Sequence, residues 1–269
     1  MNIILKQMKR NFLRTAILLL LSITAMLGRA QKADSVRILW IGNSYTYVND
    51  LPEMVKTIAF GKGKLLSTTR MLKGGERLSG HLANEKLRSC LKKGGFHYVI
   101  LQEQSAAPSM STQQVAEKVY APAEQLVKLI REGSPEAKIL FYMTWGHKYG
   151  NQQEEKTPYA LNNTYEDMQQ RLKTSYLEMA HANHAICAPV GMAWQRVRSE
   201  KPDLTLYDPD GSHPSKAGTY LAANVFFGII CGEPYQTSYS AGLNEETAAY
   251  LQRIAHETVF GNKELINLK

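Results

Sequence analysis

Three residues of this 269-residue chain have the types and spacing that nucleophilic chemistry needs. Ser44 lies in Gly42-Asn43-Ser44-Tyr45-Thr46, and Asp210 and His213 lie in Asp208-Pro209-Asp210-Gly211-Ser212-His213-Pro214. A serine hydroxyl is a poor nucleophile at neutral pH, so it requires a base within hydrogen-bond reach and a group that orients the base. The Asp-x-x-His spacing can set a carboxylate against one imidazole nitrogen while the other faces the serine. Pro214 biases His213 towards an extended backbone just before a helix. Asp208 is the competing acid. Each segment has a plainer role when taken alone, Gly-Asn-Ser as a turn or helix cap and Asp210-Gly211 as a turn. Their joint presence predicts a Ser-His-Asp hydrolase.

Chemistry of this kind needs elements that deliver the serine and the histidine to one place. Short apolar runs at 37–41, 65–72, 98–102, 138–144 and 185–190 predict five strands. Helix-period segments separate them, so the sheet is expected to be parallel. Ser111-Thr112-Gln113-Gln114 has the form of a capping box. Val115, Val119, Leu126, Leu129 and Ile130 follow on one face, with Pro122 predicted to kink the helix. Leu161, Tyr165, Met168, Leu172, Tyr176 and Met179 form a second apolar stripe, which reads as core. The polar stretch 146–157 is expected to be a surface loop after the fourth strand. In an open α/β sheet, ligands gather beyond the carboxyl ends of the strands. Ser44, Gly74-Gly75, Gln102 to Ser105 and Trp145 to His147 all fall at such ends.

Composition narrows the function classes. The first thirty residues read as a signal peptide: a basic start (Lys6, Lys9, Arg10, Arg14), an apolar core at 16–27 and the small-x-small site Gly28-Arg29-Ala30. That core is shorter than the roughly 20 residues a membrane span requires. Cleavage, a secreted or periplasmic location and no stable membrane anchor are therefore expected, with 31–269 forming a single domain. Removing the leader leaves 27 basic and 24 acidic residues, so the formal charge drops from +8 to +3. No basic run alternates with aromatics, and nucleic acid is discounted as a partner. Cys90, Cys187 and Cys231 suit neither a disulfide framework nor a zinc knuckle, and the sequence selects no pair for a bridge. His81, His97, His181, His184 and His256 lack metal-ligand spacing. His181 and His184 are read as lying on an exposed helix face, and neither metal nor cofactor is expected.

Taken in order, Gly42-Asn43-Ser44, Gly74-Gly75 and Asp210-x-x-His213 resemble three of the motif blocks of the SGNH, or GDSL-like, hydrolases, with Asn43 where that family usually has Asp. The resemblance spans almost the whole of 31–269. It implies a three-layer α/β/α flavodoxin-like sandwich and ester hydrolysis through an acyl-serine, with Ser44 as nucleophile, His213 as base and Asp210 as the orienting acid. It also implies an oxyanion hole built from the backbone N–H groups of Ser44 and Gly75, with Gly74 the alternative within the pair. The third block departs from the family's Gly-x-Asn-Asp, because this chain has Leu101-Gln102-Glu103-Gln104-Ser105. Gln104 or Gln102 would then supply the side-chain donor. Asn43, Gln102, Glu103, Trp145 and His147 are expected to contact substrate, Trp145 by stacking on a sugar face or an acyl group. The resulting expectation is a secreted serine esterase acting on short-chain esters, in particular carbohydrate O-acetyl groups. The alternatives are a non-catalytic glycan-binding protein on the same scaffold, or a lipid-ester hydrolase or thioesterase.

Overall fold

In the computed structural model, residues 35–152, 161–232 and 236–269 are described. The expected leader at 1–30 and part of the expected loop, 153–157, lie outside the described residues.

Five parallel strands form one sheet: β1 (Val36–Gly42), β2 (Leu66–Leu72), β3 (Tyr98–Leu101), β4 (Lys138–Tyr142) and β5 (Ile186–Ala188). Their order is β2-β1-β3-β4-β5, with β1 paired to β2 from Val36↔Leu66 to Gly42↔Leu72 and to β3 from Ile38↔Tyr98 to Ile41↔Leu101. Ile38, Leu39, Trp40 and Ile41 are fully buried, as expected for a central strand covered on both faces. β2 lies at the edge, and most of its residues keep some exposure.

Helices cover both faces, which gives the expected three-layer α/β/α sandwich. The helix α2 (Lys216–Cys231) packs against both α1 (Leu51–Phe60) and α3 (Glu245–Phe260). α2 reads AGTYLAANVFFGI over its buried stretch, an almost wholly apolar helix because neighbouring elements enclose it. The helices α4 (Glu85–Lys93) and α5 (Ala121–Gly133) pack together, and α6 (Tyr165–Ala182) contacts β4 and β5.

Local signals were obeyed with two adjustments. The capping box is present: Ser111 Oγ accepts from Gln114 N, and the Gln114 side chain accepts from Ser111 N. Ahead of Pro122 the chain makes one turn of π-helix over Ala116–Tyr120. Pro122 follows in helical backbone that runs unbroken through Tyr120 and Ala121 into α5, so its missing N–H falls inside the helix, just past the wider π turn. Leu161 is exposed and stands outside α6. That helix begins only after Thr164, whose Oγ1 caps Asp167 N. His181 occupies the last turn of α6 and bonds the carbonyl of Leu265 through Nε2 at 2.9 Å, whereas His184 lies past the helix end with φ of 48°. All three cysteines are free. Among the described residues no helix is long and apolar enough to cross a membrane.

β1 sends the chain to β2 on one side and β3 lies on its other side, so strand order reverses at β1. The carboxyl ends of β1 and β3 therefore border the crevice where such sheets bind ligands. Ser44 follows β1, and Gln102 to Ser105 follow β3.

Candidate active site

Ser44 opens a single helical turn, Ser44–Tyr47, whose cap is Asn43. Asn43 Oδ1 accepts from Tyr45 N at 3.1 Å, and Asn43 Nδ2 donates to the Glu76 carbonyl at 3.0 Å. Gln102 completes this support: its Oε1 accepts from Asn43 N and from Thr46 Oγ1, each at 2.9 Å, and its Nε2 donates to Asn43 Oδ1 at 2.9 Å and to the Glu103 carbonyl. Gly42 is required by that approach, because a Cβ there would stand 2.6 Å from Gln102 Oε1. The carbonyl of Gly42 accepts from His81 Nε2 at 2.8 Å. His81 is buried, and burial lowers its pKa, so the ring stays neutral and donates.

The histidine arrives from the loop between Tyr207 and α2. Asp210 Oδ1 accepts from the backbone N–H groups of Ser212 and His213, both at 2.9 Å. Asp210 Oδ2 lies 2.5 Å from His213 Nδ1, and His213 Nε2 lies 2.8 Å from Ser44 Oγ. Partial burial would raise the Asp210 pKa, but hydrogen bonds from the His213 side chain and the two backbone N–H groups hold it below the ordinary value. Asp210 is thus ionised at neutral pH and fixes the imidazole with Nε2 turned to the serine. Asp208 instead bonds through its backbone, its N–H to the His213 carbonyl at 2.9 Å and its carbonyl to Gly211 N at 2.9 Å. Serine, base and acid therefore form one hydrogen-bonded chain, the arrangement that lets an imidazole take a serine proton and return it to a leaving group.

After β2, Gly74 and Gly75 sit at the centre of a turn closed by Glu76 N to the Lys73 carbonyl at 3.1 Å. Gly75 has φ of 68°, a conformation glycine adopts without steric cost. Both glycines are exposed. The side chain of Tyr47, 44 % exposed, lies beside this turn, since a Cβ on Gly74 would stand 3.0 Å from its hydroxyl.

Several expected substrate contacts are turned to other work. Trp145 is fully buried, stacked between Tyr45 (4.8 Å, 6°) and Trp194 (3.8 Å, 5°), with Nε1 donating to the Ser212 carbonyl at 3.0 Å. It cannot stack on a sugar. Gln102 and Asn43 are buried and bonded to each other, so neither reaches substrate, and Gln102 has no amide hydrogen left for an oxyanion. Glu103 is also fully buried; its carboxylate accepts from Gln104 N at 2.7 Å and Leu78 N at 3.2 Å. Burial pushes its pKa up to about 7 against those two backbone bonds.

Two expected contacts remain open to the crevice. Gln104 Oε1 accepts from Ala106 N and Ala107 N, each at 3.0 Å, and its Nε2 donates to Ser105 Oγ at 3.3 Å. With the oxygen pinned, one amide hydrogen stays uncommitted. His147 is partly buried, and Nε2 lies 3.1 Å from Ser105 Oγ. Burial lowers its pKa, while the nearby Asp210 charge opposes that shift and His213 adds to it. Sequence reasoning missed His81, Tyr47 and Tyr45. None of the three carries a spacing signal that ties it to the site.

No protein-family profile and no curated protein matches the chain by sequence. Solved structures do match. A candidate SGNH hydrolase from Slackia heliotrinireducens is 27 % identical, with a TM-score of 0.58 over 72 % of this chain and 98 % of that one. A DUF4886 family protein from Bacteroides uniformis is 18 % identical, with a TM-score of 0.67 over 88 % of this chain and 97 % of that one. An acetylxylan esterase from Geobacillus stearothermophilus is 18 % identical, with a TM-score of 0.51 over 78 % of this chain and all of that one. The chain has the SGNH, GDSL-like hydrolase fold, with a hydrogen-bonded serine, histidine and aspartate at the carboxyl edge of its sheet.

Proposed function

We propose that the chain is a serine esterase that removes short acyl groups, acetyl foremost, from carbohydrate through an acyl-serine intermediate. The observation that carries the reading is the unbroken chain from Ser44 Oγ through His213 to Asp210. In the first step Ser44 Oγ bonds to the ester carbonyl carbon as its proton passes to His213 Nε2. The imidazolium, stabilised by Asp210, then protonates the departing alcohol oxygen. Water, deprotonated by the same nitrogen, adds to the acyl carbonyl; the C–Oγ bond then breaks, His213 Nε2 returns the proton to Ser44 Oγ, and the acid is released.

The tetrahedral oxyanion would be held by the N–H groups of Ser44 and Gly75, and by Gln104 Nε2. Ser44 N stands at the first position of a helical turn, where no intrahelical acceptor is available. The exposed Gly75 turn lets the backbone approach a substrate closely. Pinning of Gln104 Oε1 by two backbone donors gives its amide nitrogen a fixed direction.

Carbohydrate as the acyl carrier draws on two exposed aromatics, Tyr47 beside the Gly74-Gly75 turn and Tyr149, 65 % exposed, on the loop that bonds Gly211 through Lys148 N at 2.7 Å. They take over the stacking role expected of Trp145. One protein of the same fold is an acetylxylan esterase. His147, neutral and bordering the crevice through Ser105, would bond a substrate hydroxyl. Export rests on the leader pattern of the first thirty residues.

The test is acetate release from an aryl acetate and a panel of acetylated glycans by the protein and by Ser44→Ala. Serine-dependent release with preference for a glycan supports the whole reading. Release from the aryl ester with none from any glycan removes the carbohydrate assignment, and no serine-dependent release at all removes the esterase.

A further inference from the structure

We propose that Tyr45, the residue after the nucleophile, is a positioning residue that holds the catalytic histidine in register with the serine through a hydrogen bond to Ser212. The inference rests on the assignment of Ser44, His213 and Asp210 as the triad.

The argument starts from what Asp210 leaves undone. It lies three residues from His213 and bonds both its ring and its backbone N–H, so it fixes the imidazole within the loop. It does nothing to fix the loop against Ser44, which is 169 positions away in sequence. That task falls to bonds between elements. Tyr45 OH lies 2.6 Å from Ser212 Oγ, Trp145 Nε1 donates to the Ser212 carbonyl at 3.0 Å, Lys148 N donates to the Gly211 carbonyl at 2.7 Å, and Asn49 Nδ2 donates to the Pro214 carbonyl at 2.9 Å. Of these four donors or partners, Tyr45 is the one adjacent to Ser44, and Ser212 is adjacent to His213. The bond therefore joins the two catalytic residues by the shortest covalent routes on either side.

Both ends of Tyr45 are held. Its N–H bonds the Asn43 cap, and its ring is clamped in the Tyr45–Trp145–Trp194 stack, with an edge contact to the His213 ring at 5.5 Å. Phenylalanine would fill the same stack. The hydroxyl is thus not needed for packing, and a buried hydroxyl costs stability unless it is bonded. Its polar neighbours are Ser212 and, beside it, Ser105. A rigid ring whose hydroxyl bonds the residue before the base is a fixed-length strut between the nucleophile turn and the acid–base loop. Misplacing reacting groups by about 1 Å can cost roughly 100-fold in rate; losing one of four tethers should cost less, about tenfold.

The experiment compares the wild-type protein with Ser44→Ala, Tyr45→Phe, Ser212→Ala, Ser212→Thr and the double variant Tyr45→Phe/Ser212→Ala. Readouts are kcat and KM on an aryl acetate, the rate of labelling by a fluorophosphonate, and thermal unfolding. The expected result is a fall of about tenfold in kcat and in labelling rate for Tyr45→Phe and for Ser212→Ala, with KM within about twofold. The double variant should be no slower than either single variant, because both remove one bond. Ser212→Thr restores a hydroxyl and should recover the rate, an outcome that a merely structural role would not give. Ser212 is partly exposed, so its two variants decide the matter even if Tyr45→Phe unfolds. Full kcat in Ser212→Ala, or losses that multiply in the double variant, overturns the proposal. Ser44→Ala as active as wild type would instead overturn the triad assignment on which it rests.

Discussion

The loop that carries Asp210 and His213 and the loop that follows β3 border the same crevice, yet they use their polar residues in opposite ways. In the first, the side chains meet each other and Ser44, and the loop is held from outside, at the Ser212 hydroxyl by Tyr45 and at backbone carbonyls by Trp145, Lys148 and Asn49. In the second, Gln102 and Glu103 point inward to satisfy backbone and cap groups of neighbouring segments, and only Gln104 and Ser105 remain at the crevice. A polar residue at the carboxyl end of a strand is thus as apt to build the site as to touch the substrate. Burial decides which, since a fully buried side chain must pair internally.

The largest effect expected from this contrast is on the acid–base loop. His213→Ala and Ser44→Ala should each lower kcat by at least about 10,000-fold while unfolding stays cooperative. Asp210→Asn should also be strongly damaging, because it weakens the hold on the imidazole. Steady-state kinetics with parallel urea unfolding separates loss of chemistry from loss of fold. Gln102→Ala comes next and should invert the pattern. It strips the partner from Asn43 N and Thr46 Oγ1 in a buried place, so it should destabilise the protein by about 3–5 kcal/mol. A Gln102→Ala variant with unchanged unfolding and lost activity would put Gln102 with the substrate after all.

The two loops also differ in how far the sequence disclosed them. Asp210-x-x-His213 is self-contained: its defining hydrogen bonds span three residues, so spacing alone carries the geometry. The same holds for the β1 turn, where a buried strand and an Asn cap lie next to Ser44. The inner strands β1, β3 and β4 were legible because central parallel strands are apolar on both faces. Trp145 was misread for the opposite reason. Its neighbours Tyr45 and Trp194 are 100 and 49 positions away, and no local pattern says that three aromatics will stack and close the ring off from solvent. Gln102 and Glu103 failed likewise, since their partners Asn43 and Leu78 come from other strand ends. The role of Tyr45 is set by Ser212, which no spacing rule links to it.

Glu103 gives a pH test of the inward-facing loop. Its carboxyl has a pKa of about 7, raised by burial above its ordinary value of 4.5. The folded state therefore binds the proton more tightly than the unfolded state does. Its contribution to stability is present in full below about pH 4.5, is lost as pH rises towards 7, and is flat above. Glu103→Gln keeps an acceptor for Leu78 N and Gln104 N but cannot ionise. Relative to that variant, the wild type should lose up to about 3 kcal/mol between pH 4 and pH 8, measured by urea unfolding at each pH. A difference that does not change with pH would mean that Glu103 is ionised without cost and is better solvated than its burial implies.

Gln104 sharpens the comparison most finely, because its carboxamide belongs to both kinds of use. The oxygen caps Ala106 N and Ala107 N, as an inward residue's would, while the nitrogen faces Ser105 with a hydrogen to spare. Gln104→Glu keeps the capping oxygens and replaces the donor with an anion. Stability should be nearly unchanged, and kcat should fall by roughly 100-fold, the cost of losing one oxyanion donor. Gln104→Ala should lose the same catalysis and also about 1 kcal/mol of stability with the cap. If Gln104→Glu retains kcat within about threefold, the donor lies elsewhere. Gln104 would then join Gln102 and Glu103 as scaffold, and the whole β3 loop would serve the site without touching the ester.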